Sequence, residues 1–431
     1  MSRPVVTDAD GRCLPSAARV TVSRNRALAR YRDYVRVVGP GLVSGAADAD
    51  PTTVATLVVI GAGTMYALEW LALLLFPMIA AVQVISTHVG TVSRRDLQTA
   101  VTDAYGRSWR WCLLVSILVV NLVTIGADLE GGAAAIGLIT GLDWRWFVVP
   151  LSLALLALLI VGRYHQLERS LKYMLLCLFG YAASSAFAHP SWAAVVRGSL
   201  SPHFEWSSTY TADALSLLGT TLTSYVYLWQ SIGQVERDHA RITLRARKLE
   251  AALGSFAAVV VFWFILTASG ATLGVHHWHA NTAADAAQAL RPVAGRLAGD
   301  FFALGLLASA VVALPVLMAT TAYVTGAEMR WRRGLSLKVR EAPLFYGALV
   351  MAALLGSSVA LCGVSPIRLL FFAGIIGGVA APVGLILLLA VARNPVLMRD
   401  HPIPRSLQVA GSVTCVVIST ASVGYIVHLL T

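Results

Sequence analysis

Apolar runs of about twenty residues, separated by short polar stretches, recur along almost the whole chain. A helix rises about 1.5 Å per residue, so a run of that length crosses the roughly 30 Å hydrocarbon core of a bilayer. Such spans fall at 41–63, 66–89, 111–138, 145–162, 172–189, 212–234, 250–274, 300–325, 344–363, 367–392 and 407–430. The pattern predicts an all-α integral membrane protein with eleven transmembrane spans.

Two of these runs are irregular. Gly41–Gly63 reads GLVSGAADADPTTVATLVVIGAG and carries Asp48, Asp50 and Pro51 near its middle. Pro51 removes a backbone donor and clashes with the preceding turn, and the small residues before it hold a helix weakly, so the segment is expected to break at the aspartates. A broken membrane helix exposes carbonyls and a half-helix end, which together with a carboxylate can coordinate a cation. Five spans later, Leu217–Gln230 reads LLGTTLTSYVYLWQ, a helix interior dense in hydroxyls. Two interrupted helices at corresponding places in two five-span halves predict an inverted-repeat transporter with its site at the midplane. The chain then divides into an N-terminal arm at 1–38, a first repeat at 39–190, a second at 211–392 and an eleventh span at 406–431.

Charge orients this arrangement. All but five of the 33 Lys and Arg residues (the five being Arg145, Arg197, Arg291, Arg296 and Arg368) fall in the arm or in alternate connections. Positive residues accumulate on the cytoplasmic side, which puts the N-terminus inside and the C-terminus outside a bacterial inner membrane. A net charge of +11 could mark a nucleic-acid binder, but the basic residues sit in short loops between apolar segments and report topology instead. Hydrophobic residues make up 57% of the chain and charged ones 13%, against about 25% charged in soluble domains, which excludes a soluble protein. Five scattered cysteines indicate neither a zinc site nor a disulfide framework. The Arg-rich arm lacks an apolar h-region, so no signal peptide is expected.

Candidate chemistry centres on Asp50. A carboxylate at the bilayer midplane costs at least ~2.5–3.5 kcal/mol, so it is retained facing an ion, or else capping the unwound half-helix or paired with an arginine. Asp48 reads as a vestibule residue or a cap. Thr53, Thr220, Thr221, Thr223 and Ser224 offer oxygens, although hydroxyls in membrane helices also bond the preceding turn. In the third span Asp128 and Glu130 stand two apart and cannot share one helix face; a proton relay and a vestibule charge are both open. Glu69, Gln83, Gln230 and Glu236 are polar groups near helix ends or toward the interior. His276, His277 and His279 have a metal-binding spacing without a fourth ligand, for which an exposed loop is the plainer reading.

SGAADADPTTVATL, LLFPMIAAVQVIS, LGTTLTSYVYLWQS and the tenth-span run from Ser365 to Met398 together resemble the NRAMP family of divalent-metal transporters, and its prokaryotic NRAMP-related branch most, from about Gly39 to Met398. The resemblance implies a LeuT-like fold of five plus five inverted spans with helices 1 and 6 broken, one further helix, and alternating access. It also implies that the metal-binding aspartate falls on Asp50, the neighbouring asparagine on Thr53, the carbonyl ligand on Thr220 and the methionine ligand on Thr223. The sixth-span proline falls on Ser224, the proton-linked histidine on Tyr225 and the third-span acid on Asp128. The second acid of that helix falls on Gly131, with Glu130 beside it, and the tenth-span glutamine on Gly374. Asp48 and Gln230 would line the site further out.

Replacing the amide and the thioether by threonines leaves only oxygen donors, which suit Mg²⁺, Mn²⁺ or Ca²⁺, and small side chains suit a hydrated ion. The expected function is import of divalent cations, Mg²⁺ first and Mn²⁺ competing, by a monomer with no resident cofactor and no nucleic-acid partner. Two other readings stand: the same fold carrying a small organic solute or anion on its half-helix N-termini, and a non-transporting sensor, against which the lack of a soluble signalling domain counts.

Overall fold

The computed structural model describes residues 48–161, 182–183, 185–236, 243–276, 282–287, 295, 298–398 and 401–430. The basic arm, Gly41–Ala47, most of the fifth span, and His277 and His279 lie outside the described residues. Helices run in the order α1 (Pro51–Thr64), α2 (Glu69–Ser93), α3 (Leu97–Ala104), α4 (Arg107–Thr140), α5 (Arg145–Val161), α6 (Trp192–Leu200), α7 (Ser208–Thr221) and α8 (Ser224–Glu236). There follow α9 (Leu244–Ser269, continued by a π-helical turn Gly270–Gly274), α10 (Ala283–Ala287), α11 (Ala298–Glu328), α12 (Pro343–Ala360), α13 (Pro366–Arg393), α14 (Pro395–Met398) and α15 (Arg405–Leu430). Among the described residues seven helices are long and apolar enough to cross a membrane by length and composition, α1 and α5 are shorter apolar helices, and no strand occurs.

Local chemistry sets the helix starts. Proline stands in the first turn of α1, α12 and α13, where the missing N–H has no helical acceptor to lose. Side chains cap some others: Ser207 accepts from Tyr210 N (3.2 Å) at α7, and Thr243 from Ala246 N (3.3 Å) at α9. That cap starts α9 six residues before the apolar run expected at 250. It buries Arg247, which the loop composition assigned to a polar connection; its guanidinium donates to Gln234 Oε1 at 2.6 Å. Likewise α4 extends to Arg107 and Thr140, beyond the apolar limits of 111–138.

At the centre stands α1. It is buried over most of its circumference, because α4, α7, α9, α11 and α13 all pack against it. Glycines permit the closest crossings. A Cβ at Gly219 of α7 would collide with Gly374 O and with the backbone of Gly378, so α7 and α13 touch backbone to backbone. Gly61 of α1 rests in the same manner on Leu266 O and Ser269 of α9. The basic end of the bundle is tied by ion pairs, Arg110 to Glu328 (3.2 Å) and Arg333 to Asp96 (2.9 Å), with Thr102 also donating to Glu328 (2.9 Å). Asp96 caps α3 through Thr99 N (3.0 Å), so this connecting helix is built into the tie.

Candidate functional site

The first residues of α1 have free backbone N–H groups that must find acceptors. Asp50, in extended conformation, supplies the first: its Oδ1 accepts from Thr53 N at 2.6 Å. Asp128, in the middle of α4, supplies the second, its Oδ1 accepting from Thr52 N (3.1 Å) and Thr52 Oγ1 (2.7 Å). Two carboxylates thus close one helix N-terminus, where the helix dipole favours negative charge. The remaining oxygen of Asp50, Oδ2, accepts from Tyr225 Oη at 2.8 Å, so one side chain ties the start of α1 to the start of α8. Ser309 of α11 donates to Ala49 O at 2.5 Å and fixes the chain just ahead of the cap.

Just ahead of Tyr225, α7 ends at Thr221 and α8 begins at Ser224. Carbonyls of the last turn of a helix have no helical donor. Thr53 Oγ1 reaches into this end, 2.9 Å from Thr220 Oγ1 and 3.4 Å from Thr220 O. Three polar atoms are buried and have no hydrogen-bond partner among the described residues, Thr223 Oγ1 and Ser224 Oγ at this junction and Asp128 Oδ2 at the head of α1. A buried polar group left unsatisfied costs about 1–3 kcal/mol, so a water molecule or an ion has a direct energetic reason to sit among them. None of Asp50, Thr53, Thr220, Thr223, Ser224, Tyr225 and Asp128 is more than 4% exposed, so the whole cluster is buried.

The expected residues divide accordingly. Asp50, Thr53, Thr220 and Tyr225 are joined by hydrogen bonds, and Thr223 and Ser224 lie at the same junction with free oxygens. Asp128 joins through α1, a role its sequence position 76 residues away did not signal. Asp48 is buried and accepts a long 3.5 Å bond from Gln83 Nε2. Gln230, expected on the site lining, donates to Thr87 Oγ1 on α2 at 2.8 Å. Glu130 is fully buried, and neither of its oxygens has a hydrogen-bond partner among the described residues. Glu69 is held at the head of α2 by Thr267 (2.9 Å). Among the described residues no three His, Cys, Asp or Glu side chains gather in a metal-binding group, so hydroxyls and carbonyls must supply most donors of any ion here.

Two positions explain their own residue types. A Cβ at Gly131 would lie 3.3 Å from Pro51 Cβ and 3.2 Å from Leu370 Cδ1, so a side chain there would have to push these neighbours back by a few tenths of an ångström. A Cβ at Gly374 would meet Ser216 Oγ at 2.5 Å. At the junction the two threonines Thr53 and Thr220 bond directly, hydroxyl to hydroxyl.

A family model described as natural resistance-associated macrophage protein-like matches residues 41–428. Among curated proteins, a divalent metal cation transporter MntH of Klebsiella pneumoniae is 25% identical over 412 residues, covering 94% of this chain and 96% of that protein. A Mycobacterium tuberculosis protein of the same name is 26% identical over 399 residues, 90% of each chain. Among solved structures, a variant of the Eremococcus coleocola manganese transporter superposes with a TM-score of 0.70 at 18% identity, covering 91% of this chain and 86% of that one. The nucleobase-cation-symport-1 transporter Mhp1 gives 0.59 at 13% identity, covering 90% and 91%, a likeness of fold alone.

Proposed function

The chain belongs to the natural resistance-associated macrophage protein-like family, and from that premise we propose that it imports a divalent metal cation across the bacterial inner membrane by alternating access. Its work is transport, not catalysis. The ion is bound between α1 and the α7–α8 junction, by Asp50, the Thr220 carbonyl and the hydroxyls of Thr53 and Thr223, directly or through water. Ser224 and Tyr225 line the same space, and the α7–α8 junction acts as the break of a sixth span, opposite the break that precedes α1.

One observation carries the reading: a buried carboxylate, Asp50, is joined through Thr53 to the C-terminal turn of α7 and through Tyr225 to the start of α8, where the hydroxyls of Thr223 and Ser224 have no partner among the described residues. Carbonyl oxygens of a terminal turn form the negative end of a helix dipole, so α7 favours a cation. The anion reading uses the N-termini of α1 and α8; Asp50 and Asp128 already accept from the N–H groups of α1, and the Asp50 carboxylate lies against Tyr225 in the first turn of α8. Selectivity follows from the donors. With one carboxylate and no sulfur or nitrogen, the set suits Mg²⁺ kept partly hydrated, and Mn²⁺ is the competitor. With Tyr225 engaged on Asp50 and no second acid at Gly131, uptake is driven by the membrane potential, ~2.3 kcal/mol per charge per 100 mV.

Calorimetric titration of the purified protein with Mg²⁺, Mn²⁺ and Ca²⁺, beside Asp50→Ala, tests this. Binding that vanishes in the variant is the expected result. A well-folded parent protein that binds none of the three ions overturns the metal reading.

A further inference from the structure

Where α13 ends and α15 begins, the two helices leave a groove of about 530 Å³ between them. Its mouth carries Arg393, the last residue of α13, and Arg405, the first residue of α15. Both arginines are exposed, and neither forms an ion pair among the described residues. Arg393 is nonetheless fixed: Nη2 donates to Ser412 Oγ at 2.6 Å, and Ser412 in turn donates to Gln408 O. Below this charged mouth the wall is apolar. Val409, Val413 and Val416 follow one another at helical spacing on α15 and are 62%, 54% and 64% exposed.

We propose that this groove binds one anionic phospholipid of the cytoplasmic leaflet, with its phosphate between Arg393 and Arg405 and an acyl chain along the valine stripe. Dimensions fit a lipid. From Arg405 to Val416 is a rise of ~16 Å, and one leaflet contributes about 15 Å of hydrocarbon. Guanidinium groups match phosphate oxygens bidentately, and two arginines at one point favour a headgroup with net negative charge over a zwitterion that brings its own ammonium. The depth is also right. This end of the bundle holds Arg94, Arg95, Arg330, Arg332 and Arg333, the side that positive residues mark as cytoplasmic. A second copy of the chain is the poorer occupant, because a two-fold contact here would set four arginines face to face.

Bound there, the lipid would fasten α15 to α13. That contact matters because α15 shows the bilayer most of its surface, with only 28% of its most apolar stretch buried, whereas α13 packs on α1, α4 and α7. The lipid would therefore add to the direct packing of α15 on α13, where Ser422 Oγ already donates to Gly378 O at 2.9 Å.

The full chain, delipidated in a neutral detergent, is titrated with short-chain phosphatidylglycerol and with phosphatidylcholine, and bound lipid is counted by native mass spectrometry. Preference for phosphatidylglycerol is expected. Arg393→Gln and Arg405→Gln are each expected to weaken it roughly fivefold, the share of one surface arginine, while Arg393→Lys stays within about twofold because charge is kept. Val413→Trp fills the groove without touching charge and is expected to lower occupancy for both lipids. Circular dichroism and gel filtration establish that each variant is folded. Equal binding of the two lipids overturns the proposal, as does full phosphatidylglycerol binding by the doubly substituted protein. Displacement of the lipid by inorganic phosphate at equal concentration also overturns it, because the arginines would then hold a bare anion.

Discussion

Asp50 does two jobs that one substitution can separate. As a cap, its Oδ1 takes Thr53 N at 2.6 Å; as a proposed ligand, its charge holds the ion. Asn caps a helix about as well as Asp, so Asp50→Asn keeps the α1 terminus closed. The second oxygen becomes an amide facing Tyr225, whose hydroxyl can turn from donor to acceptor. Stability should fall by no more than ~1 kcal/mol, whereas Asp50→Ala loses a cap worth ~0.5–2 kcal/mol and leaves a buried N–H and hydroxyl unpaired at ~1–3 kcal/mol each. Metal affinity should behave differently. Loss of a partner outside the ligand shell already costs 10–100-fold, so removing the sole proposed charged ligand should cost at least ~100-fold. The assay pairs thermal unfolding with calorimetric titration of Mg²⁺ and Mn²⁺ for parent, Asn and Ala proteins. If the Asn protein binds either ion within threefold of the parent, Asp50 is a cap alone and the metal site lies elsewhere.

Thr223→Met places a thioether beside the site and should raise affinity for Mn²⁺ or Cd²⁺ relative to Mg²⁺; an unchanged ratio in competition titrations would show that Thr223 does not face the ion. Thr52→Val deletes the 2.7 Å hydroxyl bond to Asp128 while keeping shape, and should cost ~1.5–3 kcal/mol in unfolding measurements; a loss under 0.5 kcal/mol (about a third of the lower bound) would mean the backbone bond alone secures Asp128. Gly219→Ala puts a methyl group into the backbone of α13, and folded yield by fluorescence-detected gel filtration should collapse, whereas Gly347→Ala, with open space around it, should leave yield unchanged.

Much of the helical framework was legible because apolar length is a strong signal and every long described helix repeats it. Asp50 was legible for the same reason: a carboxylate inside an apolar run demands an explanation, and Asp-Pro-Thr-Thr is itself a cap followed by a first-turn proline. Partnerships across the fold were not. Nothing in the sequence near Asp128 points to Thr52, since the bond exists only because α4 crosses the head of α1. Gln230 shares its helix with Tyr225 but faces Thr87, a difference of rotation about the axis that hydroxyl density could not resolve. Arg247 lay in a run of basic residues that read as an inner loop, and only the Thr243 cap turns that run into the buried start of α9. Gly374 entered only as the position of a tenth-span glutamine, while its close approach to Gly219 depends on where two helices cross.

The burial of the Asp50 cluster also has an electrical meaning. None of its side chains is more than 4% exposed, so bulk water does not reach Asp50 while the helices stand as they do. On the proposed function, charge would then cross in whole cycles, each carrying the ions held beside one buried carboxylate, instead of as the continuous current of an open pore.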